Sequence, residues 1–138
     1  MANEIKTIIN KEFETFPEVE IVILFGSAVK GRLTPISDID IAFAAKTPTP
    51  YEKKHEIYLA LEKSLKRDID LIDLHQVNGH ILKNILCNGE IIKKKSIPRL
   101  AYFFKKMWYN QEDMMPKTRM ILEKQVKRFI DGQADPIK

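Results

Sequence analysis

At 138 residues, with 44% hydrophobic and 30% charged side chains, the chain suits one compact globular domain with room for a helical appendage. No apolar run approaches the roughly 18 residues needed to cross a bilayer. The opening segment MANEIKTIINKEF is amphipathic and lacks a signal peptide's apolar core. A lone Cys87 excludes an internal disulfide and a cysteine-built zinc cluster, so a cytoplasmic, membrane-free protein is expected.

In chain order, Ile5, Ile8, Ile9 and Phe13 fall at helical spacing over residues 3–15, and Pro17 closes that segment. Val19 to Phe25 (VEIVILF) is a β-branched run short enough for a buried strand. It enters Gly26-Ser27, where Ser27 is expected to cap a short helix. Asp38 to Ala44 reads as a second strand, followed by a proline-bearing loop and a helix with the stripe Ile57, Tyr58, Leu61 and Leu65. Asp68 to Leu74 (DIDLIDL) reads as a third strand and Ile81 to Leu86 as part of a helix. The Asn88-Gly89 turn leads to a short strand near Glu90 to Lys93. Pro98 opens a helix bearing Leu100, Phe103, Phe104, Met107 and Trp108, and a last helix is expected from Pro116 with Leu122, Val126 and Phe129.

Charge is distributed unevenly. Residues 1–90 carry 11 basic and 14 acidic side chains, whereas residues 91–138 carry 12 basic and 5 acidic ones. Such a basic segment suits an acidic partner or RNA, or is simply a solvated helix surface. Direct nucleic-acid binding rests on this charge alone and is the less favoured reading.

The stretch Leu24 to Ile41, LFGSAVKGRLTPISDIDI, carries the chemistry. Residues two apart on a strand face the same way, so Asp38 and Asp40 are expected to project together. Adjacent carboxylates repel unless a cation lies between them, and hard divalent ions share oxygen ligands with substrate phosphates. Upstream, Gly26 allows close backbone approach, the Ser27 hydroxyl can bond a phosphate, and Lys30, Gly31 and Arg32 follow within reach of a triphosphate tail.

Gly26-Ser27, ten residues, then Asp38 and Asp40 closely resembles the nucleotidyltransferase superfamily related to DNA polymerase β, specifically its minimal members (MNT proteins), over roughly residues 3–95. The resemblance implies an α/β (α+β) fold with a small mixed sheet flanked by helices. It also implies a third carboxylate on a neighbouring strand. Matching the family's V-D-L-V-D-L-like segment to Ile69 through Leu74 selects Asp70, with Asp68 second; Asp73 falls on the opposite face with Ile69 and Leu71. Asp38, Asp40 and Asp70 would then hold two Mg²⁺ ions, and Gly26, Ser27, Lys30, Gly31 and Arg32 would bind the nucleotide.

At this length the chain is similar to MntA-like antitoxins paired with a HEPN-family RNase toxin of the HepT type. That resemblance implies a protein adenylyltransferase moving AMP from ATP to a toxin tyrosine within a hetero-oligomeric complex. The alternatives are transfer to a small molecule, or a non-catalytic antitoxin acting by contact. The expected organisation is a nucleotidyltransferase domain at 1–95, a partner-docking helical hairpin at 96–132 and a tail at 133–138.

Overall fold

A four-stranded mixed sheet lies between two pairs of helices. The computed structural model describes residues 2–31, 34 and 36–109. Helix α1 (Ala2–Phe13) leads to β1 (Val19–Phe25) and a single 3₁₀ turn at Gly26–Ala28. Strand β2 (Ile39–Ala45), helix α2 (Tyr51–Leu65) and strand β3 (Ile69–Asp73) follow. A second 3₁₀ turn (Leu74–Gln76), α3 (Gly79–Asn88), β4 (Glu90–Lys94) and α4 (Ile97–Tyr109) complete the order. The strands lie β3-β2-β1-β4; β1 runs antiparallel to β2 and β4, and β2 runs parallel to β3.

Helices on both faces explain why β1 is apolar at nearly every position rather than alternating. One face joins Val22, Leu24, Ile41 and Phe43 to Ile9 and Phe13 of α1 and Ile57 and Leu61 of α2. The other joins Ile21, Ile23, Ala42 and Ala44 to Leu82 and Ile85 of α3 and Phe103, Phe104 and Met107 of α4. A register shift between Val19 and Ile21 puts these two odd-numbered residues into opposite cores.

Leu100, Phe103, Phe104 and Met107 recur at helical spacing and are all buried, so α4 completes the second core. The expected second helix of the hairpin, with Leu122, Val126 and Phe129, and the tail lie outside the described residues. Two boundaries differ from the sequence reading. Strand β2 starts at Ile39, leaving Asp38 on the preceding loop, and β3 ends at Asp73, whose carboxylate accepts the His75 N–H and turns the chain. Among the described residues no helix is long and apolar enough to cross a membrane.

Candidate active site

The sheet register assembles the carboxylates. Asp40 pairs with Phe25 across the antiparallel ladder and with Asp70 across the parallel one. Direct partners on adjacent strands stand about 5 Å apart, so Asp40 and Asp70 are close neighbours. Asp38 precedes the strand, exposed at the mouth of the same sheet end. Asp40 is half-buried, and its pKa is pushed up to about 6, first by burial, then by the charges of Asp70 and Asp38. The structure thus brings Asp38, Asp40 and Asp70 into one electrostatic cluster. Asp68 contributes no comparable push on Asp40.

This repulsion has a testable consequence in the metal-free chain. A carboxyl whose folded pKa lies above its unfolded value adds stability below the unfolded value and loses it as pH rises through about 6. Asp40→Asn is therefore expected to raise the melting temperature at pH 8 and to lose that advantage by pH 4. Melts of both proteins in a chelating buffer check this; an unchanged difference between the two pH values contradicts it.

Gly26 sits against this cluster. Its φ is +75°, and a Cβ there would stand 2.0 Å from Asp40 Oδ2 and 3.0 Å from Cγ. Glycine therefore serves both the left-handed backbone and the close approach of Asp40. Ser27, half-buried, is the second residue of the 3₁₀ turn and not the expected helix cap, because the turn begins at Gly26 and lasts three residues. The amides of Val29 and Lys30 both bond the Gly26 carbonyl, at 3.2 and 3.3 Å. Lys30 and Gly31 are both exposed; Gly31 has φ +70° with open space around it. Arg32 lies outside the described residues.

Strand alternation sorts the three aspartates of DIDLID. Asp70 is exposed beside Asp40, and Asp68 is exposed just before the strand. Asp73 is 1% exposed and accepts from the Thr49 and His75 amides, both at 2.9 Å. Asp73→Ala is expected to cost about 1–3 kcal/mol by stranding those amides, while keeping the rate per folded molecule. Asp70→Asn is expected to do the reverse. Melting curves paired with transfer rates on both variants check the assignment.

Two features carry no motif. Arg67 donates to loop carbonyls beside Asp38. On α2, Tyr51, His55 and Tyr58 stack in succession, with centroids 5.9 and 6.2 Å apart and planes 7° and 16° from parallel. The rings recur at i, i+4 and i+7, a helical spacing that could have revealed the ladder. With Lys54, Ile69, Asp70 and Leu71 they line a recess of about 290 Å³. The other histidines are elsewhere: His75 Nε2 bonds Ala45 O at 2.8 Å and its ring packs edge-on against Phe103, and His80 is exposed.

The donors gathered here are hard carboxylate oxygens whose like charges repel one another, which suits a hard divalent cation. Among the described residues no group of three or more His, Cys, Asp or Glu side chains is gathered so that it could hold a metal ion by itself. An open donor set of this kind leaves ligand positions for phosphate oxygens and water.

Known proteins share this architecture. The chain is 29% identical over 77 residues to the protein adenylyltransferase MntA of Shewanella oneidensis, a match covering 56% of this chain and 55% of the relative. It therefore spans about half the length of the curated relative it matches. Its fold is similar to a chain from the complex of tri-AMPylated Shewanella oneidensis HEPN toxin with MNT antitoxin, with TM-score 0.66, 21% identity and coverage of 97% of this chain and 99% of that one. A chain of the MntA–HepT toxin–antitoxin matches with TM-score 0.64, 20% identity and coverage of 88% and 97%. A toxin–antitoxin crystallised with AMP-PNP matches with TM-score 0.61, 21% identity and coverage of 94% and 90%. The family described as polymerase beta nucleotidyltransferase matches residues 4–97, more than half the chain and all of its carboxylate-bearing strands, and the chain belongs to that family.

Proposed function

We propose that this chain is an antitoxin-type protein adenylyltransferase that transfers AMP from ATP to a tyrosine hydroxyl of a HEPN-family RNase toxin. The observation that carries the reading is Asp40 held in register with Asp70 while Gly26 presses against its carboxylate. The relative named protein adenylyltransferase MntA supports the reaction, and the similar complexes with AMP-PNP and with an AMPylated HEPN toxin support ATP and the partner. Both proteins would act in the cytoplasm as a hetero-oligomer. The segment from α4 through residue 132 would contribute the docking surface.

Asp38, Asp40 and Asp70 would hold Mg²⁺, two ions being expected. Magnesium bound there supplies positive charge against the triphosphate and the departing pyrophosphate. The Ser27 hydroxyl donates to a phosphate oxygen, and Lys30 and Arg32 bring charge toward the triphosphate tail; Gly26 and Gly31 keep the backbone close. Asp70 takes the proton of the acceptor hydroxyl as that oxygen attacks the α-phosphorus in line. A new oxygen–phosphorus bond forms, the α–β bridging bond breaks, and pyrophosphate leaves. The recess beside Asp70, walled by Tyr51, His55 and Tyr58, gives the acceptor an approach.

The test incubates the purified chain with ATP, Mg²⁺ and a HepT-type HEPN protein, followed by intact-mass and peptide analysis. AMP-sized mass gains on a toxin tyrosine are expected. Inhibition of the toxin without any covalent gain would identify a contact-only antitoxin. ATP consumption without a protein acceptor, dependent on an added metabolite or drug, would identify small-molecule transfer.

A further inference from the structure

The loop that ends at Asp38 is held from outside itself. Thr34 and Ser37 close a small turn, with Ser37 N donating to Thr34 O at 3.1 Å, Thr34 N to Ser37 Oγ at 3.0 Å, and the two hydroxyls 2.8 Å apart. This turn is largely solvent-facing, and Ile36 within it is 92% exposed, so no apolar burial of that side chain anchors it. Arg67, at the α2–β3 junction, reaches across. Its Nη1 donates to Thr34 O at 2.6 Å and to Ser37 O at 3.2 Å. On the far side of Asp38, the Ile39 amide donates to Asp68 O at 3.0 Å. The backbone on both sides of Asp38 is therefore bonded to two consecutive residues, Arg67 and Asp68, and the same segment carries Asp70 into β3.

We infer that Arg67 is a positioning residue, clasping the Asp38 loop to the Asp70 strand so that the two carboxylates keep a fixed separation. A flexible loop would leave Asp38 free to swing from the cluster, since it lies outside the strand that fixes Asp40. A guanidinium suits this role because it is always charged, planar, and able to aim N–H groups at two carbonyls. A lysine ammonium on its flexible stem holds such a pair less rigidly. Partners that orient a metal-holding side chain without touching the ion commonly change metal affinity 10–100-fold when removed. The inference rests on the proposed reading of Asp38 as a magnesium-holding carboxylate.

The experiment measures calorimetric binding of AMP-PNP to the full chain across a Mg²⁺ series, for wild type, Arg67→Met, Arg67→Lys and Asp38→Asn. Thermal melts define the folded fraction of each. Arg67→Met is expected to raise the Mg²⁺ concentration for half-maximal binding by about tenfold, with the metal-free affinity unchanged and Arg67→Lys in between. A role confined to stability would lower the melting temperature and leave the Mg²⁺ requirement of the folded protein alone. If Asp38→Asn shifts the requirement and both folded Arg67 variants match wild type, the clasp is overturned and the site stands. If Asp38→Asn shifts nothing, the carboxylate reading itself fails and the clasp fails with it. Should Arg67→Met not fold, the lysine variant decides by the same shift.

Discussion

The double variant Asp38→Ala/Asp40→Ala is expected to lose nucleotide transfer, with kcat/KM falling by about a thousandfold or more, while the chain stays folded. The two expectations have one cause. Asp40 is kept partly out of water next to Asp70 and Asp38, an arrangement that burdens the metal-free fold and serves it only when cationic charge arrives. Removing both carboxyls relieves that repulsion. Asp38 is exposed and outside the strand, so its truncation leaves no cavity. Initial rates with ATP and a protein acceptor, paired with a melting curve, check both halves. A folded double variant that transfers at the wild-type rate refutes the site.

Gly26→Ala is the second large effect, and it separates backbone strain from crowding. The left-handed conformation costs a side-chain-bearing residue about 1–2 kcal/mol. The new methyl would also meet Asp40 Oδ2 at 2.0 Å, a distance no real Cβ contact sustains. Asp40 is fixed between two ladders, so its carboxylate must rotate away from its place beside Asp70. Misplacing a reacting or charge-holding group by about 1 Å commonly costs about a hundredfold in rate, and that loss in kcat is expected here. Gly31→Ala is the control: its φ is +70° but nothing stands within 4 Å of the added methyl. It should show a fall in melting temperature from backbone strain alone, no larger than that of Gly26→Ala, and a rate loss at least about tenfold smaller. Equal rate losses in the two variants would show that crowding of Asp40 is not the cause.

Much of this was legible in the amino-acid pattern. The β-branched run of β1 and the strand around Asp40 stand out because burial on both faces demands continuous apolar side chains. Period-two alternation separates the buried Asp73 from the exposed Asp70. The helical spacing of Leu100, Phe103, Phe104 and Met107 marks a buried stripe before its partner strands are known. Local pattern fails where a tertiary contact decides. Asp38 looks like a strand residue, yet the ladder begins one residue later, and the loop carrying Asp38 is bonded to Arg67 and Asp68. Ser27 looks like a helix cap, but the chain makes only a 3₁₀ turn there. The contact of Gly26 with Asp40, the pairing of Asp40 with Asp70 and the reach of Arg67 all depend on strand register and crossover. Those relations link residues well separated along the chain and leave no periodic trace.

On the proposed mechanism, this carboxylate cluster moves a nucleotide and not a terminal phosphate. Parallel reactions with ATP labelled at the α- or the γ-phosphate, Mg²⁺ and a HEPN-family acceptor separate the two most directly. Acceptor labelling from α-labelled ATP is expected, with release of the γ-label as pyrophosphate and loss of both with Asp40→Asn. Acceptor labelling from the γ-position, or α-labelling that persists in the folded Asp40→Asn protein, would contradict nucleotidyl transfer at this site.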